Sequence, residues 1–236
     1  MPTLGFDTAT ETLTVATTGD GGEPLLERDL GPGEDGRPRH SAQLLTEVEA
    51  CVEAAGGWER IAAIAVGLGP GSYTGLRIGI ATARALAQAR GTELLGVSTL
   101  SALALGIAEL PEAEGRSPLP VLDARRNQAF AQVHAPGGEA VGEPLVLAPD
   151  ELAELARGSD PRPLAAGDGA LRFLAELEAA GATVAPSGDA VHRVAARHIC
   201  ALSEKRGAAL AERIEPTYLR EPDAKRWLAR DDGSAG

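Results

Sequence analysis

Two aspartates stand where acid chemistry could be sited. Asp7 closes the strand-like run Thr3 to Asp7, and Asp123 follows Leu119 to Leu122 in the same manner. An acid at a strand end can serve phosphate chemistry when the next turn offers backbone amides to the anion, which favours glycine. The turns here read Thr8-Ala9-Thr10-Glu11 and Ala124-Arg125-Arg126-Asn127. A phosphate would have to be met by hydroxyl and guanidinium groups instead, and both acids serve equally well as caps of strand-end turns. Gly167-Asp168-Gly169 is placed for an adenosine contact, yet it is also a good turn sequence in its own right.

Other chemistries fall away on spacing. A two-metal nuclease needs several converging carboxylates. Asp7 and Glu47 could supply two, but the central apolar run Ile61 to Val66 ends in Gly67-Leu68-Gly69 with no acid. His40, His134, His192 and His198 form no His-x-x-x-His or Cys/His set, so no catalytic metal site is expected. Ser72 follows Pro70-Gly71, but Tyr73-Thr74 intervene before Gly75, so the nucleophile-elbow pattern is not met and Ser72 reads as a helix cap. Lys205 and Lys225 are the only lysines and neither lies near the glycines, which removes the P-loop. Gly69, Gly71 and Gly75 also miss the dinucleotide spacing.

The elements that must position these residues follow from periodicity. Thr3 to Asp7, Leu13 to Thr18 and Leu25 to Leu30 read as an antiparallel meander, followed by a Gly/Pro/charge loop from Gly31 to Arg39. From Ser41, a candidate cap, Leu44, Leu45, Val48, Val52 and Ala55 line one face of a helix that Gly56-Gly57 ends. A strand at Ile61 to Val66, a second helix over Gly75 to Ala89, a strand at Glu93 to Val97 and a helix capped by Ser98 or Thr99 complete the order βββαβαβα. After a linker at Pro111 to Pro118 the order starts again. Strands are expected at Leu119 to Leu122, Ala129 to His134, Glu143 to Leu147, Leu164 to Ala166 and Thr183 to Ala185. Helices are expected at Glu151 to Arg157, Ala170 to Ala180 and Val191 to Arg206. The repeat predicts an α/β protein of two ribonuclease-H-like or actin-like lobes with a cleft between them, over 1–110 and 111–222, with a polar tail over 223–236 that Trp227 could tether.

Composition bounds the partners. A net charge of −12 over 236 residues and 3% aromatics argue against holding nucleic acid unaided, since phosphates need clustered cations and bases need stacking platforms. Cys51 and Cys200 have no metal-type spacing and read as reduced core thiols. No leader and no run of 18 apolar residues is visible, so the chain reads as soluble and cytoplasmic.

The second helix carries more apolar surface than a sheet can cover. Its apolar arc reaches roughly 220°, against the ~100° stripe that a sheet-facing helix needs. Within it Gly75, Gly79, Ala83 and Ala87 recur every four residues, a groove into which another backbone can press. Either a partner or the chain itself could fill that groove.

Gly69-Pro70-Gly71-Ser72-Tyr73-Thr74-Gly75-Leu76-Arg77-Ile78-Gly79 resembles the signature of the TsaB, or YeaZ, family of tRNA threonylcarbamoyladenosine biosynthesis. The likeness extends to Asp7-Thr8-Ala9, His40-Ser41, Gly96-Val97-Ser98, Asp123-Ala124-Arg125-Arg126, Gly167-Asp168-Gly169 and Pro216-Thr217-Tyr218-Leu219-Arg220. Thr46 and Gln128 depart from it, standing where proline and glutamate are usual. The resemblance implies an actin-like fold without cofactor. It also implies a non-catalytic role beside the catalytic relative TsaD, with the ATPase TsaE, in threonylcarbamoyl transfer to adenosine 37 of tRNA, which this chain would touch only indirectly. The metal histidines of TsaD fall here at Thr99 and Leu103, neither able to replace imidazole. Pairing, with TsaD or with a second copy, is expected through Leu44, Leu45, Val48, Gly75, Leu76, Gly79, Ile80, Ala83 and Ala87. Two rival readings stay open: an actin-like nucleotide-dependent kinase, and a metallopeptidase of the glycopeptidase-like group.

Overall fold

A computed structural model describes residues 2–205 and 214–220. The first sheet is built from β1 (Thr3–Asp7), β2 (Leu13–Thr18), β3 (Pro24–Leu30), β4 (Ala63–Gly67) and β5 (Glu93–Val97), in the order β3-β2-β1-β4-β5. The second uses β6 (Ser117–Arg125), β7 (Gln128–His134), β8 (Ala140–Leu147), β9 (Pro163–Ala166) and β10 (Thr183–Val184), in the order β10-β9-β6-β7-β8. Traced from the outer antiparallel strand, both sheets run third, second, first, fourth, fifth, so the expected duplication is one of topology as well as element order. β1 pairs antiparallel with β2 and parallel with β4, and β6 pairs likewise with β7 and β9. Asp7 closes the central strand of the first sheet, whereas β6 runs past the expected end at Leu122 and carries Asp123 two residues before its last, at a shift in the pairing with β7.

The outer face of the first sheet is covered by α1 (His40–Ala54) and α2 (Tyr73–Arg90), that of the second by α4 (Pro149–Gly158), α5 (Asp168–Arg172) and α6 (Leu174–Ala179). Between the sheets lie α3 (Thr99–Ala108) and α7 (Ala196–Lys205), packed on each other. α3 rests on β6, β7 and β9, whereas α7 rests on β1, β2, β4 and β5. Each half thus lends its last helix to the other sheet, and a division at residue 110 cuts through a shared core.

Several local expectations shift for tertiary reasons. The helix expected to open at Ser41 starts at His40, with Arg39 at the cap position and no side-chain cap bond. Ser72 and Ser98 do cap their helices, accepting from the Gly75 and Ser101 amides at 3.3 Å. The helix expected over Ala170 to Ala180 breaks at Phe173, whose side chain is buried in the core of the second lobe. The last helix starts at Ala196 instead of Val191, because the Ala196 amide is capped across the molecule by the Thr14 hydroxyl of β2 at 3.0 Å. Arg206 and the 223–236 tail with Trp227 lie outside the described residues. Cys51 and Cys200 are free and buried, and burial pushes the Cys51 thiol up to about 12.

The small-residue groove of α2 is filled by the chain itself. Thr8, in the turn after β1, donates its hydroxyl to the Gly75 carbonyl at 2.8 Å, and the Ser72 amide donates to the Ala9 carbonyl at 2.7 Å. A methyl group on Gly75 would overlap the Thr8 carbonyl oxygen, and one on Gly79 would overlap the Thr8 hydroxyl. Leu76, Ile80, Ala83 and Ala87 are at most 4% exposed, as are Leu44 and Val48 of α1. Of the nine residues expected at a partner surface, only Leu45 is exposed, at 61%. The small-residue groove therefore serves an internal contact and is not open to another molecule, while Ala85 and Ala89 at the margin of the apolar arc stay exposed.

A substitution that fills the groove should accordingly damage the monomer. Gly79→Leu is expected to lower the unfolding free energy by about 3 kcal/mol or more, by overpacking against Thr8. Ala85→Leu, on the exposed side of the same helix, should change it by less than about 0.5 kcal/mol. Urea unfolding followed by circular dichroism checks both.

Candidate functional site

Asp7 is fully buried and internally bonded. Its Oδ1 accepts from the Ala9 amide at 2.7 Å, and its Oδ2 accepts from the Thr99 hydroxyl at 2.7 Å. Thr99 Oγ1 in turn accepts from the Gly69 amide at 3.0 Å. Gly69 also accepts from the Thr99 amide at 2.9 Å, which fastens the loop after β4 to the start of α3. Any side chain at Gly67 would collide with the Asp7 carboxyl. The Gly-rich segment thus closes over Asp7. Burial pushes its carboxyl above the ordinary value, only partly opposed by the two hydrogen bonds.

The expected cleft exists, with a volume of about 410 Å³. Thr10, Glu11 and Ser72 to Thr74 line it from the first lobe, Asp123 to Arg126 and Asp168 from the second, while Thr217 to Arg220 pass along it. Asp7 is not among the lining residues. Asp123 does reach the cleft, but it is occupied: it accepts from the Arg125 amide at 2.8 Å and from Arg172 Nη1 at 2.9 Å. Asp168 accepts from the Asp123 and Gly169 amides at 3.0 and 2.8 Å. The Gly167-Asp168-Gly169 turn is thereby tied to the Asp123 strand end. Arg125 crosses the cleft to pair with Glu11. Asp123-Ala124-Arg125-Arg126 stands out in the sequence as a strand-end turn and as part of the family likeness, and Pro216-Thr217-Tyr218-Leu219-Arg220 as part of that likeness alone. No periodicity discloses that Arg125 meets Glu11 or that the second segment runs along the cleft.

The remaining chemical residues are dispersed. Glu47 is paired with Arg28 at 3.0 Å rather than with Asp7. His134 contacts the Gln132 carbonyl, His192 the Gly167 and Ala185 carbonyls, and His198 the Glu109 carboxylate at 3.0 Å. No group of three His, Cys, Asp or Glu able to hold a metal occurs among the described residues. Thr99 is spent on Asp7, and Leu103 is buried in the core between the sheets, so the two positions do not fit a metal ion. No helix among the described residues is long and apolar enough to cross a membrane.

His40 is the least satisfied of these groups. It is 3% exposed, against Gly75, and its Nε2 has no partner, so burial pushes its imidazole below the ordinary value. The folded state therefore resists protonation, and the stability this confers is complete above about pH 6.5 and lost as the pH falls below it. The urea midpoint should drop between about pH 7.5 and pH 5, and less in His40→Asn than in the parent. Asp7 has the opposite sign. A raised carboxyl favours folding at low pH and opposes it as the pH rises through the raised value, so Asp7→Asn should gain stability relative to the parent between about pH 4 and pH 8.

Comparison with known proteins places this geometry. The family model described as TsaD, tRNA N6-adenosine threonylcarbamoyltransferase, matches residues 34–230. The tRNA threonylcarbamoyladenosine biosynthesis protein TsaB of Escherichia coli is 39% identical over 107 residues, 45% of this chain and 44% of that protein. The chain thus spans less than half the length of that curated relative. Over the whole fold, YeaZ from Pseudomonas aeruginosa superposes with a TM-score of 0.72 at 25% identity, covering 92% of this chain and 100% of the other. ROK hexokinase from Thermus thermophilus superposes with a TM-score of 0.51 at 18% identity, covering 87% and 100%, a likeness of the actin-like fold alone. With the Gly-Pro-Gly-Ser loop closed over a buried aspartate in a duplicated actin-like frame, the chain belongs to the TsaD family, on its TsaB (YeaZ) branch.

Proposed function

We propose that the chain is a non-catalytic subunit in the synthesis of N6-threonylcarbamoyladenosine at adenosine 37 of tRNA, in the cytoplasm. It acts by binding and activating a TsaD-like catalytic subunit, together with a TsaE-like ATPase. One observation carries this reading: of the two acids that the fold offers for chemistry, Asp7 is sealed and Asp123 is held by the Arg125 amide and Arg172. Asp7 is 0% exposed and holds two internal hydrogen bonds, and Thr99 and Leu103 supply no metal ligand. The net charge of −12 argues for contact with tRNA through the partner. The kinase and metallopeptidase readings both require an accessible acid or metal set, which this arrangement disfavours.

The partner surface is the outward side of α1 and α2, not the small-residue groove of α2. Leu45 stands there with the exposed Ala42 and Thr46 of α1 and the exposed Ala81 and Ala85 of α2. These are mostly short side chains that lose little rotamer freedom on contact and permit close helix approach. A second copy of the chain competes for the same surface.

Reconstitution tests both parts. The chain alone should transfer no threonylcarbamoyl group to tRNA, and it should raise the rate of a TsaD-like subunit supplemented with a TsaE-like ATPase. Asp7→Asn should support that rate to within about twofold, because Asp7 touches no substrate. Leu45→Glu, with the monomer's melting temperature unchanged, should weaken co-purification with the catalytic subunit by about tenfold or more. An Asp7→Asn chain that assembles normally but supports no reaction would sink the non-catalytic assignment.

A further inference from the structure

Residues 214–220 cross from one lobe to the other along the cleft. Ile214 is 1% exposed in the core of the first lobe, beside Gly96, and Arg84 of α2 donates to its carbonyl. The Thr217 amide donates to the Leu68 carbonyl at 2.7 Å. The segment then reaches the second lobe, where Arg220 Nη1 donates to the Ala124 carbonyl at 2.6 Å and Leu219 packs on the core between the sheets. Between these anchors the Tyr218 ring lies 4.9 Å from the ring of Tyr73, the first residue of α2, and Arg77 stands over Tyr73 at 5.3 Å. These are the only two tyrosines in a chain with 3% aromatics.

The turn that receives Arg220 is itself unusual. Arg125, Arg126 and Asn127 have φ of 62°, 52° and 59°, three consecutive left-handed residues that each carry a Cβ. Such a run is disfavoured on its own and persists only where its surroundings over-determine it. Here the Asp123 carboxylate, the Arg125–Glu11 pair across the cleft and the Arg220 bond to Ala124 do so.

We propose that residues 214–220 are a clasp that sets the angle between the two lobes from within. In hinged proteins a bound ligand commonly supplies that closure. Here Thr217 holds one lobe, Arg220 holds the other, and the Tyr218–Tyr73 contact ties the state of the cleft to the first turn of α2. Tyr218 lies between the Thr217 and Arg220 anchors, so a change of lobe angle that moves Arg220 pulls on its ring contact with Tyr73. A molecule that engages the start of α2 therefore shifts the lobe angle, and the lobe angle shifts the affinity of that molecule reciprocally. The clasp itself does not depend on the identity of any partner.

The test is a distance between the lobes in the full-length protein. Spin labels at Glu49→Cys on α1 and Glu154→Cys on α4 sit on exposed positions of the two outer layers, while the buried Cys51 and Cys200 thiols stay unlabelled. The parent should give one narrow distance distribution. Tyr218→Ala/Arg220→Ala should give a longer and broader one with circular dichroism unchanged, and Tyr218→Phe, which keeps the ring contact, should match the parent. Should the double variant fail to fold, Arg220→Ala alone carries the test with the same expectation. A folded variant with the parent's distribution overturns the clasp, as does a Tyr218→Phe chain that opens as far as Tyr218→Ala/Arg220→Ala.

Discussion

The closeness with which the first turns of α2 press on the turn after β1 governs everything around the cleft. Glycine in a helix interior costs about 0.5–1 kcal/mol relative to alanine, so Gly75 and Gly79 together cost roughly 1–2 kcal/mol. In return the Thr8 hydroxyl reaches the Gly75 carbonyl, and Leu76 and Ile80 are driven into the core, where each buried side chain contributes roughly 1.5–3 kcal/mol. The balance favours contact, and the contact dictates the rest. With α2 seated, the Ser72 amide bonds Ala9, the loop before it folds over β4, and Gly69 meets Thr99.

Seating that loop is what buries Asp7 among donors of the chain itself. A carboxylate can serve chemistry only if a ligand or water reaches it, and here both of its oxygens face protein donors with no side chain tolerated at Gly67. The second lobe arrives at a similar result by other means. Asp123 is open to the cleft but is held by the Arg125 amide and Arg172, so the two topologically equivalent acids are both spent on the chain. Duplication preserved the frame while each copy satisfied its acid with whatever donors lay nearby.

The frame was legible because it rests on local pattern. Branched apolar runs ending in glycine or an acid gave the central strands, and Ser72 and Ser98 capped their helices as their types require. What resisted reading were contacts between residues far apart in sequence. Helical periodicity revealed that α2 has a smooth apolar groove, but not that its occupant is a turn 67 residues earlier. In the same way Ala196 is capped by a hydroxyl 182 residues away, and Arg220 bonds a carbonyl 96 residues away. No propensity or spacing encodes such partners. Leu45 shows the converse: helical phase put it beside Leu44 on the core face, whereas the packing of α1 on β2 and β3 turns it to solvent.

A chain of this kind can keep the layout of a phosphotransferase and still act at its outer surface. Glu11, Asp123, Arg125, Asp168 and Arg220, charged groups lining its cleft, already have partners within the chain, so a ligand that recruited them would first have to break internal bonds, each costing about 1–3 kcal/mol when left unmade. On the outside of α1 and α2 no such toll exists. Ala42, Ala81 and Ala85 lose no rotamer freedom, and Leu45 offers apolar area for burial. Apolar area for association is therefore available on the helices, whereas the cleft's charged groups are engaged within the chain, which is the physical reason the proposed partner surface is placed on α1 and α2.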